Sequence, residues 1–266
     1  VVVISKIEKK KNIIKDIFVN YRELLKLKTM KILVVYKAAF TCAFSLFSVG
    51  TIYFLQYNLG LDNRYSSYVY IFTVIIFVLA TPMVEKMALA KGKSWQQMTM
   101  MAICGIVGII IYFVAADSVV GCAVYIGIFA VVQTGFWQVS NSIFYDVVEV
   151  DEYVNMKKRE GDIMSVVSVL GTLITAIMVW VFGVVFELAG FNAALEVQPG
   201  SVIGFLNVSY ILVPCICLLV GAVALKIFPI NKKTFASLTA ALELRKKGES
   251  YEQYEEDLLK ILGHKK

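Results

Sequence analysis

The sequence predicts an all-α, polytopic membrane protein with six transmembrane helices, and three observations carry that prediction. The composition is 59% hydrophobic with a mean hydropathy of +0.73 and only 17% charged residues, whereas globular domains carry about 25% charged residues. The charges crowd the two ends and a few short islands. Between them lie six apolar runs, near 32–57, 67–84, 97–116, 119–145, 163–187 and 202–228. Each can cross a hydrocarbon layer of roughly 30 Å, which takes about 20 residues. An unpaired backbone group is costly in lipid, and these runs far exceed the roughly ten residues of a barrel strand, so each is read as a helix.

Residues 1–31 read as a cytoplasmic amphipathic linker. Over 4–29 the apolar positions Ile14, Ile17, Phe18, Tyr21, Leu24 and Leu25 recur at helical spacing among lysines, a pattern that suits an anionic membrane face and leads into the first span. Residues 32–228 form the six-helix transmembrane bundle, which the sequence permits to be two inverted three-helix units. Residues 229–266 form a cytoplasmic helical tail. One helix there stops near Gly248, and a second opens at Ser250 with Gln253 three residues on, a capping-box pattern. The chain starts at Val1, not Met, and has no signal-peptide pattern, so it is expected to be a fragment.

The formal charge of +6 marks topology and not nucleic acid. Of 26 Lys and Arg, nine precede the first span, three lie at 86–93, three at 157–159 and nine from Lys226 onward, leaving Arg64 and Lys37. With six spans, the termini and the 2–3 and 4–5 loops share one side, and the positive-inside rule makes that side cytoplasmic in a cell (inner or plasma) membrane. The loop at 188–201 on the other side has no Lys or Arg.

Enzyme chemistry finds no support. Cys42, Cys104, Cys122, Cys215 and Cys217 all fall in apolar runs, with no metal or disulfide spacing. "AKGKS" at 90–94 lacks the first glycine of a phosphate loop, since Met87 stands there. The single histidine, His264, belongs to the tail. No enzyme activity, cofactor or metal is expected.

Three features bear on function instead. Gln133, Trp137 and Asn141 recur every four residues in the fourth span, with Ser140 beside them. Such a stripe either glues helices through hydrogen bonds or lines a pathway, and an indole beside amides suits a sugar ring. Lys37, about five residues inside the first span, either snorkels to the cytoplasm or faces a cavity, there to neutralise an anionic substrate or pair with a carboxylate. No Asp or Glu falls near the middle of any span, so these helices alone are not expected to hold a coupling cation.

The third feature is "FWQVSNSIFYDVVEVDEYVNMKKREG", residues 136–161, which passes from apolar helix to a two-sign charge cluster without a linker. If the helix continues, Asp146, Glu149 and Glu152 share a face, and Lys157, Lys158 and Arg159 can reach neighbouring helix ends. Ion pairs placed so can hold one conformation and release in another, and a solvated loop is the plainer alternative.

This stretch resembles the motif at the end of the tenth helix in the glycoside-pentoside-hexuronide:cation symporters, the melibiose permease family within the major facilitator superfamily, where aromatics run into D-x-x-[DE]-x-x-E-[YW] and a basic segment. "TIYFLQYNLG" (51–60) is similar to the family's seventh helix end, "TPMVEKMALAKGKS" (81–94) to its loop after the eighth, and "FPINKKTFASLTAALELRKKG" (228–248) to its post-helix tail. The six spans thus look like helices seven to twelve, the carboxyl-terminal half of a twelve-helix carrier. The resemblance implies secondary transport of a sugar or glycoside coupled to Na+ or H+ by alternating access, with the cation site in an amino-terminal six-helix half or a second chain. It implies a sugar-facing Trp137, cytoplasmic-gate carboxylates Asp146, Glu149 and Glu152, and a paired Arg159. The family's functional lysine in the eleventh helix is missing, since 168–173 reads "SVLGTL". A non-transporting sensor or accessory subunit on the same fold is the alternative.

Overall fold

A computed structural model describes residues 19–62 and 64–263. Six long apolar helices are present: α1 Lys28–Asn58, α2 Arg64–Lys91, α3 Lys93–Val114, α4 Val119–Asn155, α5 Glu160–Leu188 and α6 Gly200–Lys226. Two shorter ones follow, α7 Lys232–Lys247 and α8 Glu255–Leu262. Among the described residues there is no strand. The protein is therefore all-α and polytopic.

The largest departure from the sequence reading is the length of α4, which runs ten residues past 145. Its apolar stripe does not end where the charges begin. Ile143, Val147, Val148, Val150 and Tyr153 stay buried beneath Asp146, Glu149 and Glu152, so packing extends the helix. Met156 then closes it in the left-handed region at φ 56°, a conformation that costs a residue with a Cβ roughly 1 kcal/mol or more.

In the bundle α6 lies between α1 and α3, α4 packs on α3 and α2, and α5 packs on α1. Glycine permits the closest approach: a Cβ at Gly108 would collide with Cys215 Sγ of α6, and one at Gly105 with Leu219. Small residues let helix backbones approach where lipid supplies no hydrophobic drive. Between α1 and α4 the contact is aromatic, Phe40 stacking on Phe136 at 3.5 Å and Phe47 on Phe129 at 4.0 Å between centroids. Most of α2 and α5 is exposed, as befits helices facing lipid or another helical unit.

Away from the tails, α1 and α6 each widen into a π turn, Phe54–Asn58 and Val208–Leu212. The two turns face each other. Phe54 stacks on Tyr210 at 4.6 Å, Asn58 Nδ2 donates to Asn207 Oδ1 at 2.9 Å, and the Tyr125 hydroxyl donates to the Tyr210 carbonyl at 3.0 Å.

The termini correct two details. Residues 19–24 are helical, but a turn at 25–27 separates them from α1, so the linker helix does not run unbroken into the first span. Its residues 4–18 and His264 lie outside the described residues. In the tail, Gly248 does stop α7, at φ 75°. Ser250 opens no α-helix: Glu252–Tyr254 form one 3₁₀ turn without a side-chain cap. The capping box forms at Asn231 and Thr234 instead, where Thr in place of Glu or Gln hid it from the sequence pattern.

Candidate functional site

Two parts of the bundle carry polar groups that its packing does not require: a groove along α1, α4 and α5 within the spans, and the end where both tails meet.

In the groove, Trp137 of α4 is 55% exposed, held edge-on by Phe44 at 6.2 Å and Phe136 at 5.5 Å. Gln138, Asn141 and Tyr145 are exposed too. Gln133 is not, being buried in the bundle. At 3.6 residues per turn, eight residues rotate about 80° past two full turns, so a stripe read every four residues turns inward at its far end. Trp137 and Asn141 share the open face, and Gln138 rather than Gln133 accompanies them.

Lys37 reaches into the same groove. Its amine lies 4.6 Å from the Phe136 ring centroid, and its Cε would stand 3.4 Å from a Cβ on Gly171 of α5. Phe136 and Gly171 sit roughly 15 Å along their helices from Asp146 and Glu160. Because Phe136 stacks on Phe40, one turn deeper in α1 than Lys37, the amine points towards the middle of the bundle. That direction favours the cavity-facing reading of this lysine over the snorkelling one. Among the described residues no carboxylate pairs with it.

Opposite stands a row of hydroxyls on one face of α5, Ser165, Ser168, Thr172 and Thr175 at i, i+3, i+7 and i+10. Ser45 Oγ of α1 donates to Thr175 Oγ1 at 3.4 Å, and Ser165 shares a 2.6 Å hydrogen bond with Tyr21 of the linker.

At the end with the tails, Asp146, Glu149 and Glu152 are each ion-paired. Lys93, the first residue of α3, holds Asp146 at 2.8 and 3.0 Å and donates to Ser142 Oγ at 2.9 Å. Lys158 bridges Glu149 at 3.2 Å and Glu152 at 3.7 Å, and Lys246 of α7 reaches Glu152 at 2.7 Å. Arg159 serves a different carboxylate. Its Nε and Nη2 clamp Asp151 at 2.9 and 2.6 Å, and its Nη1 takes Glu23 of the linker at 2.7 Å. Asp151 is completely buried and Arg159 8% exposed. This clamp holds the guanidinium above its ordinary range, and the Arg159 and Lys157 hydrogen bonds hold the Glu23 carboxyl below the usual glutamate range. Asn20 joins in, accepting from Arg159 at 3.3 Å and donating to Asp162 at 3.0 Å. Arg245 of α7 donates to the Tyr153 carbonyl at 2.9 Å. Linker, α3, the α4–α5 turn and tail thus meet in one polar network.

The family profile of MFS/sugar transport proteins matches residues 4–232. The chain belongs to this family. Its members are transporters of the major facilitator superfamily (MFS). No curated protein matches the chain significantly.

For this MFS sugar transport protein, sequence reasoning missed Asp151, Lys93, Glu23 and Lys246. Asp151 lies off the Asp146–Glu149–Glu152 face, and only burial distinguishes it. Lys93 stood in a segment read as a basic loop. The α5 hydroxyl row had a usable signal, its helical spacing. Among the described residues no cluster of three or more His, Cys, Asp or Glu could hold a metal ion.

Proposed function

We propose that the chain is the carboxyl-terminal half of a glycoside-pentoside-hexuronide:cation symporter of melibiose permease type, moving a sugar or glycoside with Na+ or H+ by alternating access. The observation that carries the reading is Trp137, an indole half exposed inside the spans of a sugar transport family member, with Gln138 and Asn141 beside it. Its ring face offers packing for sugar C–H groups and the amides offer hydrogen bonds. Asn141 and Lys37 complete the wall, and Gln133 supports it from within the bundle. The excess of Lys and Arg places the tails and the charge network in the cytoplasm of a cell with this protein in its inner or plasma membrane. There Asp146, Glu149 and Glu152 with their lysines, and Arg159 with Glu23, form the gate: these pairs close that side and exchange for water when it opens, while the buried Arg159–Asp151 pair anchors the α4–α5 turn. The coupling cation binds on the amino-terminal six-helix half or a partner chain, since these spans place no carboxylate near their middle.

The test separates wall from gate. In the protein from its own membrane, Trp137→Ala is expected to weaken equilibrium sugar binding by about 1–3 kcal/mol, with Trp137→Tyr keeping part of it. Asp146→Asn is expected to change the uptake rate in vesicles with a smaller change in affinity, because a gate residue biases populations without touching ligand. Equal effects of both substitutions on affinity would refute the assignment.

A further inference from the structure

The start of α1 is uncapped. Its cap residue, Leu27, offers no side-chain acceptor, and the first backbone bond at this end is the one Lys31 donates to the Leu27 carbonyl. Among the described residues the amides of Lys28, Thr29 and Met30 therefore donate to nothing. Thr29 and Met30 are 1% and 0% exposed, so bulk water does not serve them. The buried Thr29 hydroxyl has no hydrogen-bond partner either. Buried donors without an acceptor are costly, and a set of them at one helix start calls for an acceptor.

A cavity of about 650 Å³ opens at this point, with Lys26, Lys28 and Thr29 on its wall together with Asn155 at the end of α4 and Gly263 at the end of α8. Among the described residues neither lysine enters an ion pair, and the Lys28 amine lies 3.7 Å from where a Cβ on Gly263 would stand. Glu23, the one acid on the wall, is held by Arg159 at 2.7 Å and Lys157 at 3.4 Å, so its charge is answered. What borders the cavity otherwise is a helix N-terminus, a free hydroxyl and two ammonium groups.

We infer that this cavity binds a phosphate group at the start of α1. Its oxygens accept from the amides of Lys28, Thr29 and Met30 and from the Thr29 hydroxyl, while Lys26 and Lys28 supply the counter-charge. A phosphate offers acceptors in several directions where a carboxylate offers them in one plane, which suits donors from backbone, hydroxyl and two side chains. The cavity exceeds a bare phosphate and leaves room for what carries it, a soluble phosphate ester or the headgroup of an anionic lipid at the membrane surface. The inference is independent of the transport reading, since it concerns the junction of linker, α4 and α8 and none of the groove residues. Bound there, the group joins the turn at 25–27 and the start of α1 to the end of α8.

The experiment uses the protein purified from its own membrane into dodecyl maltoside, which carries no phosphate, at constant ionic strength. Thermal unfolding and hydrogen exchange at residues 28–30 and 261–263 are read with two probes: inorganic phosphate against chloride, and phosphatidic acid against diacylglycerol of the same chains in mixed micelles. At least one phosphate probe is expected to raise the midpoint and slow exchange in both segments, with no response to its control. Protection by inorganic phosphate assigns a soluble phosphate compound, and protection by phosphatidic acid alone assigns a lipid headgroup. Lys28→Gln and Thr29→Val should each weaken the apparent affinity by about tenfold or more, and Lys247→Gln on α7 should leave it unchanged. Lys28 is exposed, so Lys28→Gln decides the matter should Thr29→Val fail to fold. No protection by either phosphate probe, equal protection by the controls, or a Lys28→Gln protein that responds as the wild type does would overturn the inference.

Discussion

The two ends of the bundle are held by different forces. Where the tails meet, charged pairs join segments far apart in sequence, Lys93 to Asp146, Arg159 to Glu23 and Lys246 to Glu152, and Arg159 also clamps the nearby Asp151. At the other end the described residues include one ion pair, the exposed Arg64–Asp62, and the seam between α1 and α6 is made of stacked rings, an Asn–Asn hydrogen bond and two facing π turns. The difference follows from water. Ion pairs near an aqueous boundary have water as a ready substitute, so they hold a conformation that can be given up. Interlocked rings in a dry seam have no such substitute, and shape holds them.

That contrast breaks first at its one exception, the buried pair inside the charged end. Arg159→Met, which leaves the buried Asp151 without an ionic partner, is expected to cost about 3–5 kcal/mol, Asp151→Asn less because Arg159 keeps Glu23, and combining Arg159→Met with Asp151→Leu should recover much of the loss. Thermal unfolding in detergent measures both. Single variants as stable as wild type would place this pair with the exchangeable ones.

The aromatic end should respond to shape and ignore salt. Gly50→Ala presses a methyl against the Tyr210 ring and should destabilise the protein by about 1–3 kcal/mol, with the same loss at low and high ionic strength. A salt-dependent loss would show that electrostatics reaches this seam as well.

The smallest effect sharpens the contrast within the charged end. Glu23 holds the linker to the α4–α5 turn with its carboxyl below the usual glutamate range because Arg159 and Lys157 hydrogen-bond to it. A depressed folded value means that the docking contribution is complete above the ordinary glutamate pKa and is lost as pH falls through the depressed one. Hydrogen exchange in residues 19–24 is therefore expected to rise as pH falls below the ordinary glutamate range, and Glu23→Gln should exchange fast at every pH. Exchange independent of pH in wild type would remove Glu23 from the latch.

Much of the fold was legible because lipid makes a simple demand. Six runs long enough to span, few charges and no helix-breaking cluster leave one solution for the backbone, and the structure has those six helices. The far end of α4 was legible in part, since apolar spacing continues through Val147, Val148 and Val150, although the charges masked it. The start of α8 was misread because Ser250 fits a cap pattern, yet the chain there forms a 3₁₀ turn. Of the groove, Trp137 and Asn141 were legible from spacing, while Gln133 was placed on the wrong side by one accumulated rotation.

Hydropathy, charge placement and helical period are local properties. They alone determined that this chain is an all-helical membrane protein with a charge cluster at one helix end and a polar stripe in one span. Which charge meets which was decided only by the tertiary structure. Asp146 and Lys93 are 53 residues apart, and Arg159 and Glu23 are 136 apart, so their meeting depends on how α3, α4 and the linker pack. The direction of Lys37 belongs to the same class. A lysine in a span can turn towards either end, and in the fold this one lies over the Phe136 ring, which stacks on Phe40, with its stem beside Gly171.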